Sequence, residues 1–179
     1  MEYGYLGELA STSIPVITVD QRGKHAEFPS IAADSYDGSR SAVKHLIELG
    51  HRRIAFITGD ERLASAKDRH RAYVETMAQY GLGRDASLVV KGDFTQMRGF
   101  EATGKLLSLA DPPTAIFAAN DLTAFGAIAA IREAGLRVPD DVSVIGFDDI
   151  PTASQFFPPL TTVRQPIHQI GRSAVMVGL

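Results

Sequence analysis

The chain has no cysteine, which excludes disulfides and thiolate metal sites and is compatible with a cytoplasmic location. No apolar segment approaches the roughly 20 residues needed to cross a bilayer, and Met1-Glu2-Tyr3 opens no basic, apolar signal sequence. Positive charge is scarce as well: 18 Lys and Arg against 21 Asp and Glu leave a net charge of −3 and a pI near 5.9. With no basic run above ordinary surface density, these residues are not expected to wrap phosphates or bind nucleic acid themselves. Catalytic sets are missing too. There is no Ser-His-Asp or Cys-His arrangement, the five His lack metal-ligand spacing, and no glycine-rich loop follows a strand. Gly81-Leu82-Gly83 ends a predicted helix, and Thr103-Gly104-Lys105 lies inside one. No enzyme activity, metal or cofactor is expected.

What is present is enough apolar residue, 45% of 179, for one core or two small lobes. The most ordered stretch is Thr114 to Asp149. An apolar run, Thr114 to Ala119, precedes Asn120-Asp121, a pair suited to capping a helix from Asp121 to about Ala134. Gly135 then ends that helix, Pro139 blocks its continuation, and Val142 to Gly146 forms a second strand before Asp148-Asp149. This is a βαβ unit. Ligands bind where parallel strands end and helices begin, because free N–H groups and short polar side chains gather there. Asn120-Asp121 and Asp148-Asp149 occupy two such rims. The competing reading makes Asn120 or Asp121 a simple cap and Asp148-Asp149 a simple turn. A paired-carboxylate enzyme is disfavoured, since adjacent residues in an extended segment face opposite ways.

The segment AANDLTAFGAIAAIREAGLRVPDDVSVIGFDDI resembles the signature of the lactose-repressor (LacI/GalR) family of transcription regulators, in its ligand-sensing core, and the likeness runs from Ile14-Pro15-Val16 to Gln169. The resemblance implies an α/β fold of the periplasmic-binding-protein type with two Rossmann-like parallel-sheet lobes, the first incomplete. Residues 1–50 and 160–179 are then part of the first lobe, and 51–155 the second lobe with a dimer helix. The DNA-binding head is absent. The implied function is effector sensing for a cytoplasmic repressor or related regulator, with ligand held between lobes; the alternative is a transport-type sugar-binding protein. DNA would be met only through the missing head. No membrane is implied.

Residues 3–12 read as the end of a helix and Ile14 to Val19 as a strand, with Asp20 at its tip. In the family a carboxylate here reaches the ligand; alternatively Asp20 only turns the chain. Ile31 to Ala33 is a short strand, and Asp34 to Gly38 lead into a helix that Gly50 stops. His51-Arg52-Arg53 then complement the helix dipole. Ile54 to Thr58 is a strand, followed by a helix with Tyr73, Met77 and Tyr80 as its core stripe. Arg69 stands near that helix's start, where the dipole disfavours a cation, so a partner carboxylate or a ligand hydroxyl is expected; Asp68 competes as partner. The resemblance makes Arg69 a ligand contact. After the strand Leu88 to Val90, Phe94 is an aromatic in a polar loop, suited to stacking on a sugar ring or nucleobase, or else to covering the core. The helix Gln96 to Ala110 is expected to turn Phe100, Thr103 and Leu107 inward.

Asp20, Arg69, Phe94, Asn120 and Asp148 together suggest a small-molecule pocket, for a sugar first and a nucleobase second. The helix after Asp121 has a single polar side chain, Thr123, between Leu122 and Ile131, so it must be covered on all sides. A second subunit is the expected cover, through Leu122, Phe125, Gly126 and Ala129, with burial beneath the other lobe as the alternative. Pro151 to Pro159 reads as irregular, and Leu160 to Val163 as a strand before a helix from about Ile167. Phe157 is read as lining the cleft or as hinge packing.

Overall fold

Short runs of branched and aromatic residues, each released by a glycine, proline or capping residue, become strands that alternate with helices. The computed structural model describes residues 9, 14–20, 28–83 and 85–178. Apart from Leu9, the helix expected over residues 3–12 lies outside them. The described chain divides into two compact units, one from Ser35 to Gln165, the other combining Met1–Asp34 with Pro166–Leu179. No helix among the described residues is long and apolar enough to cross a membrane.

The smaller unit contains β1 (Thr18–Val19) paired in parallel with β2 (Ser30–Ile31). The strand expected from Ile14 is confined to Thr18–Val19; Pro15, without an N–H, cannot donate to a ladder at its start. The larger unit runs through α1 (Ser35–Glu48), β3 (Ile54–Ile57), α2 (Ala64–Gln79), a 3₁₀ turn (Ala86–Leu88), β4 (Val89–Val90), α3 (Gln96–Leu107) and β5 (Ala115–Ala118). It continues with α4 (Asp121–Glu133), β6 (Ser143–Asp148), α5 (Pro151–Gln155) and β7 (Thr161–Arg164); α6 (Ile167–Gly178) then belongs to the smaller unit.

The five-stranded sheet has the order β4-β3-β5-β6-β7, parallel throughout. Its central strands β3, β5 and β6 are buried on both faces, and their alternation fills two cores. Ile54, Phe56, Ala115, Phe117, Ile145 and Phe147 pack with Val43, Leu46, Tyr73 and Met77 of α1 and α2. Ala55, Ile57, Ile116 and Ala118 pack with Leu106, Ala124, Ile128 and Ile131 of α3 and α4. With α1 buried against this sheet and β7 paired with β6, this compact unit runs from Ser35 to Gln165, beside the 51–155 that the resemblance implies for the second lobe.

Several local expectations change. Tyr80 lies beyond the end of α2 and is 44% exposed, so only Tyr73 and Met77 form the core stripe. The buried face of α3 consists of Gly99, Ala102, Thr103 and Leu106, leaving Phe100 and Leu107 half-buried. Residues 151–155 form a short helix because Pro151 enters at its first turn, where a missing N–H costs nothing. The most consequential change concerns α4. Its second face is covered by α3 of the same chain: a Cβ on Gly126 would stand 2.0 Å from the Gln96 carbonyl oxygen, and one on Gly99 2.2 Å from that of Thr123. Phe125 is 4% exposed and stacks on Phe156 with ring centroids 4.4 Å apart. Gly126 and Phe125 are thus covered within the chain, while Leu122 is 44% exposed and Ala129 half-buried. Phe157, 81% exposed, offers its carbonyl to Arg132.

Candidate functional site

A parallel sheet ordered β4-β3-β5-β6-β7 reverses its winding direction between β3 and β5. At such a reversal the following loops part to opposite faces and leave a crevice outside the strand carboxyl ends. Here that crevice begins at Thr58-Gly59 after β3 and Ala119-Asn120 after β5. The first turns of α2 bring Arg69 to it.

Arg69 is 4% exposed. Its Nη1 donates to the Ala119 carbonyl at 2.5 Å, its Nε donates to Ser35 Oγ at 3.4 Å, and Nη1 stands 3.7 Å from Asp148 Oδ1. The guanidinium lies over the Phe147 ring, 3.8 Å from its centroid, with Phe94 5.7 Å away. Of the two partners expected for a cation near a helix start, a carboxylate or a ligand hydroxyl, the structure places the Asp148 carboxylate beside Arg69. Asp68 instead pairs with Arg71 at 3.2 Å.

Asn120 takes the capping role, its Oδ1 accepting the Thr123 N–H at 2.9 Å. Its Nδ2 also donates to the Phe94 carbonyl at 3.1 Å, which ties the β5 rim to the β4 rim. The Phe94 ring lies on Gly59, where a Cβ would be 2.0 Å from Cζ, so a residue with a side chain at 59 would displace the ring. Arg69, Phe94, Asn120 and Asp148 thus form one connected group. Asp20 ends β1 in the other unit, its N–H donating to the Ile31 carbonyl at 2.9 Å.

Backbone conformation marks the same positions. The non-glycine residues with positive φ among those described are Asp20 (58°), Phe94 (70°), Asp148 (122°) and Asp149 (58°). Conformations of this kind cost of order 1–3 kcal/mol each and concentrate where function requires them. Asp148 and Asp149 send their carboxylates to different partners, Gln165 and Arg164.

Asp121 is not a second cap. It is fully buried, accepts the Ile150 N–H at 2.9 Å and the Thr162 hydroxyl at 2.5 Å, and so fixes the loop after β6 against β7. Burial raises its pKa, partly opposed by the Thr162 hydroxyl and backbone N–H groups. Sequence reasoning missed this role, along with those of Ser35, Phe147 and Gln165 around the Arg69–Asp148 pair. The βαβ pattern alone signals where a rim lies, not which distant side chain meets it.

An open cavity of about 440 Å³ adjoins the β3 and β4 tips, lined by Thr58, Gly59, Asp60, Lys91, Gly92 and Asp93 among others. None of the expected ligand residues lines it. Hydrogen bonds from Arg62 hold the Asp60 carboxyl down at about 2.

This arrangement has known counterparts. A family model described as a periplasmic binding protein-like domain matches residues 43–177. The HTH-type transcriptional repressor PurR of Haemophilus influenzae (strain PittEE) is 40% identical over 166 residues, which are 93% of this chain and 49% of that repressor. A LacI-family regulatory protein from Chloroflexus aggregans superposes with a TM-score of 0.88 at 36% identity, over 98% of this chain and 64% of that one. The lac repressor dimer bound to operator and the anti-inducer ONPF gives a TM-score of 0.84 at 34% identity, over 97% and 60%. The chain spans about half the length of the curated relatives it matches. Its parallel sheets and its sequence lead to one assignment: the chain belongs to the periplasmic binding protein-like family, as a ligand-binding core of the LacI/GalR regulator type.

Proposed function

We propose that this chain is the effector-sensing core of a LacI-type DNA-binding transcriptional repressor, and that its effector is a small neutral molecule, a sugar first and a nucleobase second. The pairing of buried Arg69, beside the sheet's reversal point, with the half-buried Asp148 at the β6 tip carries this reading. A neutral hydroxylated guest suits such a pair because it donates to the carboxylate and accepts from the guanidinium without unpairing either charge, whereas an anion would compete with Asp148 for Arg69. Phe94 supplies an apolar face beside it. Asn120 orients the loop carrying Phe94, and Asp20 is a further contact on the strength of the resemblance. The curated relative is a repressor, which favours a sensor over a transport protein. No catalytic step is assigned.

Regulation then takes the form of a population shift: effector binding favours one state of the two-lobed core, with residues 1–50 and 160–179 as part of the first lobe, and this biases the regulator's DNA-binding heads. The working assembly is a cytoplasmic homodimer, using Leu122 and Ala129 beside the Phe125–Phe156 stack.

A thermal-shift screen with D-ribose, D-glucose, cellobiose, hypoxanthine and adenosine tests the site. At least one should raise the melting temperature, and both Arg69→Ala and Asp148→Ala should abolish that rise; undiminished binding by either variant would reject the pocket. For assembly, Ala129→Glu should sediment as a monomer. An unaltered profile would place the interface elsewhere.

A further inference from the structure

The loops that leave β3 and β4 bound an open cavity of about 440 Å³ that belongs wholly to the larger unit. Its volume falls within the range of small-molecule sites, roughly 300–1,000 Å³. Glycine shapes its floor. A Cβ on Gly92 would stand 2.2 Å from the Thr58 carbonyl oxygen. The Thr58 hydroxyl then joins the two loops, accepting the Gly92 N–H at 3.3 Å and donating to the Gly59 carbonyl at 3.0 Å. Gly59 also carries the Phe94 ring, whose centroid is 5.7 Å from the Arg69 guanidinium. One aromatic ring thus adjoins both a wall of the cavity and the cation of the effector site.

The polar groups lining the cavity are oriented by the protein itself. Asp60 Oδ1 accepts the Arg62 N–H at 3.0 Å and Nε at 2.9 Å, bonds that keep the carboxylate ionised. Asp93 Oδ1 accepts the Thr95 N–H at 3.0 Å and its hydroxyl at 2.6 Å. Lys91 pairs with no carboxylate among the described residues. Fixed carboxylates take hydrogen bonds from hydroxyls, and a lone ammonium gives them. An anion would meet the carboxylates of Asp60, Glu61 and Asp93, while Arg62 is already engaged by Asp60. No aromatic side chain lines the cavity, so a nucleobase finds no stacking face inside it. A neutral ring with several hydroxyls meets the donors and the acceptors together.

We propose that this cavity is a second subsite, taking a hydroxylated ring joined to the one held beside Phe94 and Arg69, so that the effector is a two-ring molecule. This rests on the effector reading above. In a disaccharide the cavity holds the second pyranose; in a nucleoside the base lies on Phe94 and the ribose enters the cavity. Linkage makes the second contact intramolecular, so it adds affinity without a second loss of translational freedom.

Calorimetry on the whole chain compares matched pairs, D-glucose with cellobiose and hypoxanthine with inosine. In one pair the two-ring member should bind at least about tenfold more tightly. A preference in the sugar pair marks a disaccharide site, and one in the purine pair a nucleoside site. Lys91→Ala and Asp60→Ala should each weaken the preferred two-ring compound about tenfold and its one-ring counterpart by less than about twofold. Lys91→Ala should also melt with the wild type, since no ion pair is lost, which separates a binding defect from misfolding. Equal affinity within both pairs overturns the second subsite. So does a preference that survives either substitution, or a loss shared equally by both members of a pair. In each of these outcomes, binding that Arg69→Ala abolishes keeps the effector reading standing. Silence from both two-ring compounds overturns the second subsite as well, and silence from every compound, the thermal-shift set included, removes the effector reading with it.

Discussion

Replacing Gly126 by alanine discriminates between two covers for α4. The new Cβ would stand 2.0 Å from the Gln96 carbonyl oxygen and 2.7 Å from the Phe100 amide nitrogen. Both are backbone atoms, so no rotamer change relieves the overlap. Reaching ordinary contact at 3.4 Å requires α3 and α4 to part locally by about 1.4 Å, loosening the packing of Ala102 and Leu106 over the sheet. Overpacking of this kind costs about 1–3 kcal/mol, and the rigidity of the opposing atoms places this case at the upper end. The helix-propensity gain of alanine over glycine, about 1 kcal/mol, offsets part of it. A net loss of about 2 kcal/mol is expected, or about 4–8 °C in melting temperature for a chain of this size. Gly104→Ala on the exposed side of α3 is the control, since a Cβ there meets nothing within 4 Å; it should stabilise by about 0.5–1 kcal/mol. Urea melts at several protein concentrations provide the assay. If Gly126→Ala matches Gly104→Ala in stability, or its deficit disappears on concentrating the protein, α3 is not the cover and a second subunit is.

Three further outcomes follow from buried and half-buried polar groups. Burial raises the Asp121 pKa above its ordinary 3.8, so its favourable contribution is full below 3.8 and is lost as pH rises through the folded-state value; the urea midpoint of Asp121→Asn should fall less than that of the wild type over this range. His51, whose ring nitrogens meet Thr114 Oγ1 at 2.9 Å and Ser143 Oγ at 3.1 Å, has its pKa lowered from 6.5 by burial. Its contribution is therefore present above 6.5 and lost as pH falls through the folded-state value, and His51→Gln should flatten the acid limb of a stability–pH curve. Tyr73 donates its hydroxyl to the Ile54 carbonyl at 2.8 Å inside the core; Tyr73→Phe should cost about 1–2 kcal/mol in urea unfolding, and an unchanged midpoint would mean that another donor or water replaces it.

Where a rule acts over a few residues, the sequence settled the matter. Apolar runs fixed β3, β5 and β6 to within two residues or so, and Asn120 capped α4 as its neighbours required. A cation in the first turns of α2 called for a carboxylate or a ligand hydroxyl, and the Asp148 carboxylate stands 3.7 Å from it. Of the three basic residues after α1, one behaves as the dipole argument implies, with Arg52 donating to the Ile47 carbonyl at 2.9 Å. His51 and Arg53 instead bind distant loops, Arg53 reaching Asp85 at 2.8 Å.

Everything that joins remote segments was decided by the tertiary structure. Composition demanded a cover for α4, but only the close approach of Gly99 and Gly126 shows that α3 provides it. The same limit hid the placement of α1 and β7 on the larger sheet, which depends on what they pair and pack with rather than on their own patterns. Arg69 and Asp148 meet because parallel register brings the β5 and β6 tips beside the start of α2, and Gln165 joins them because β7 pairs with β6 up to Arg164. Local periodicity carries no record of register between strands, so the rims were legible in the chain and the partners across them were not.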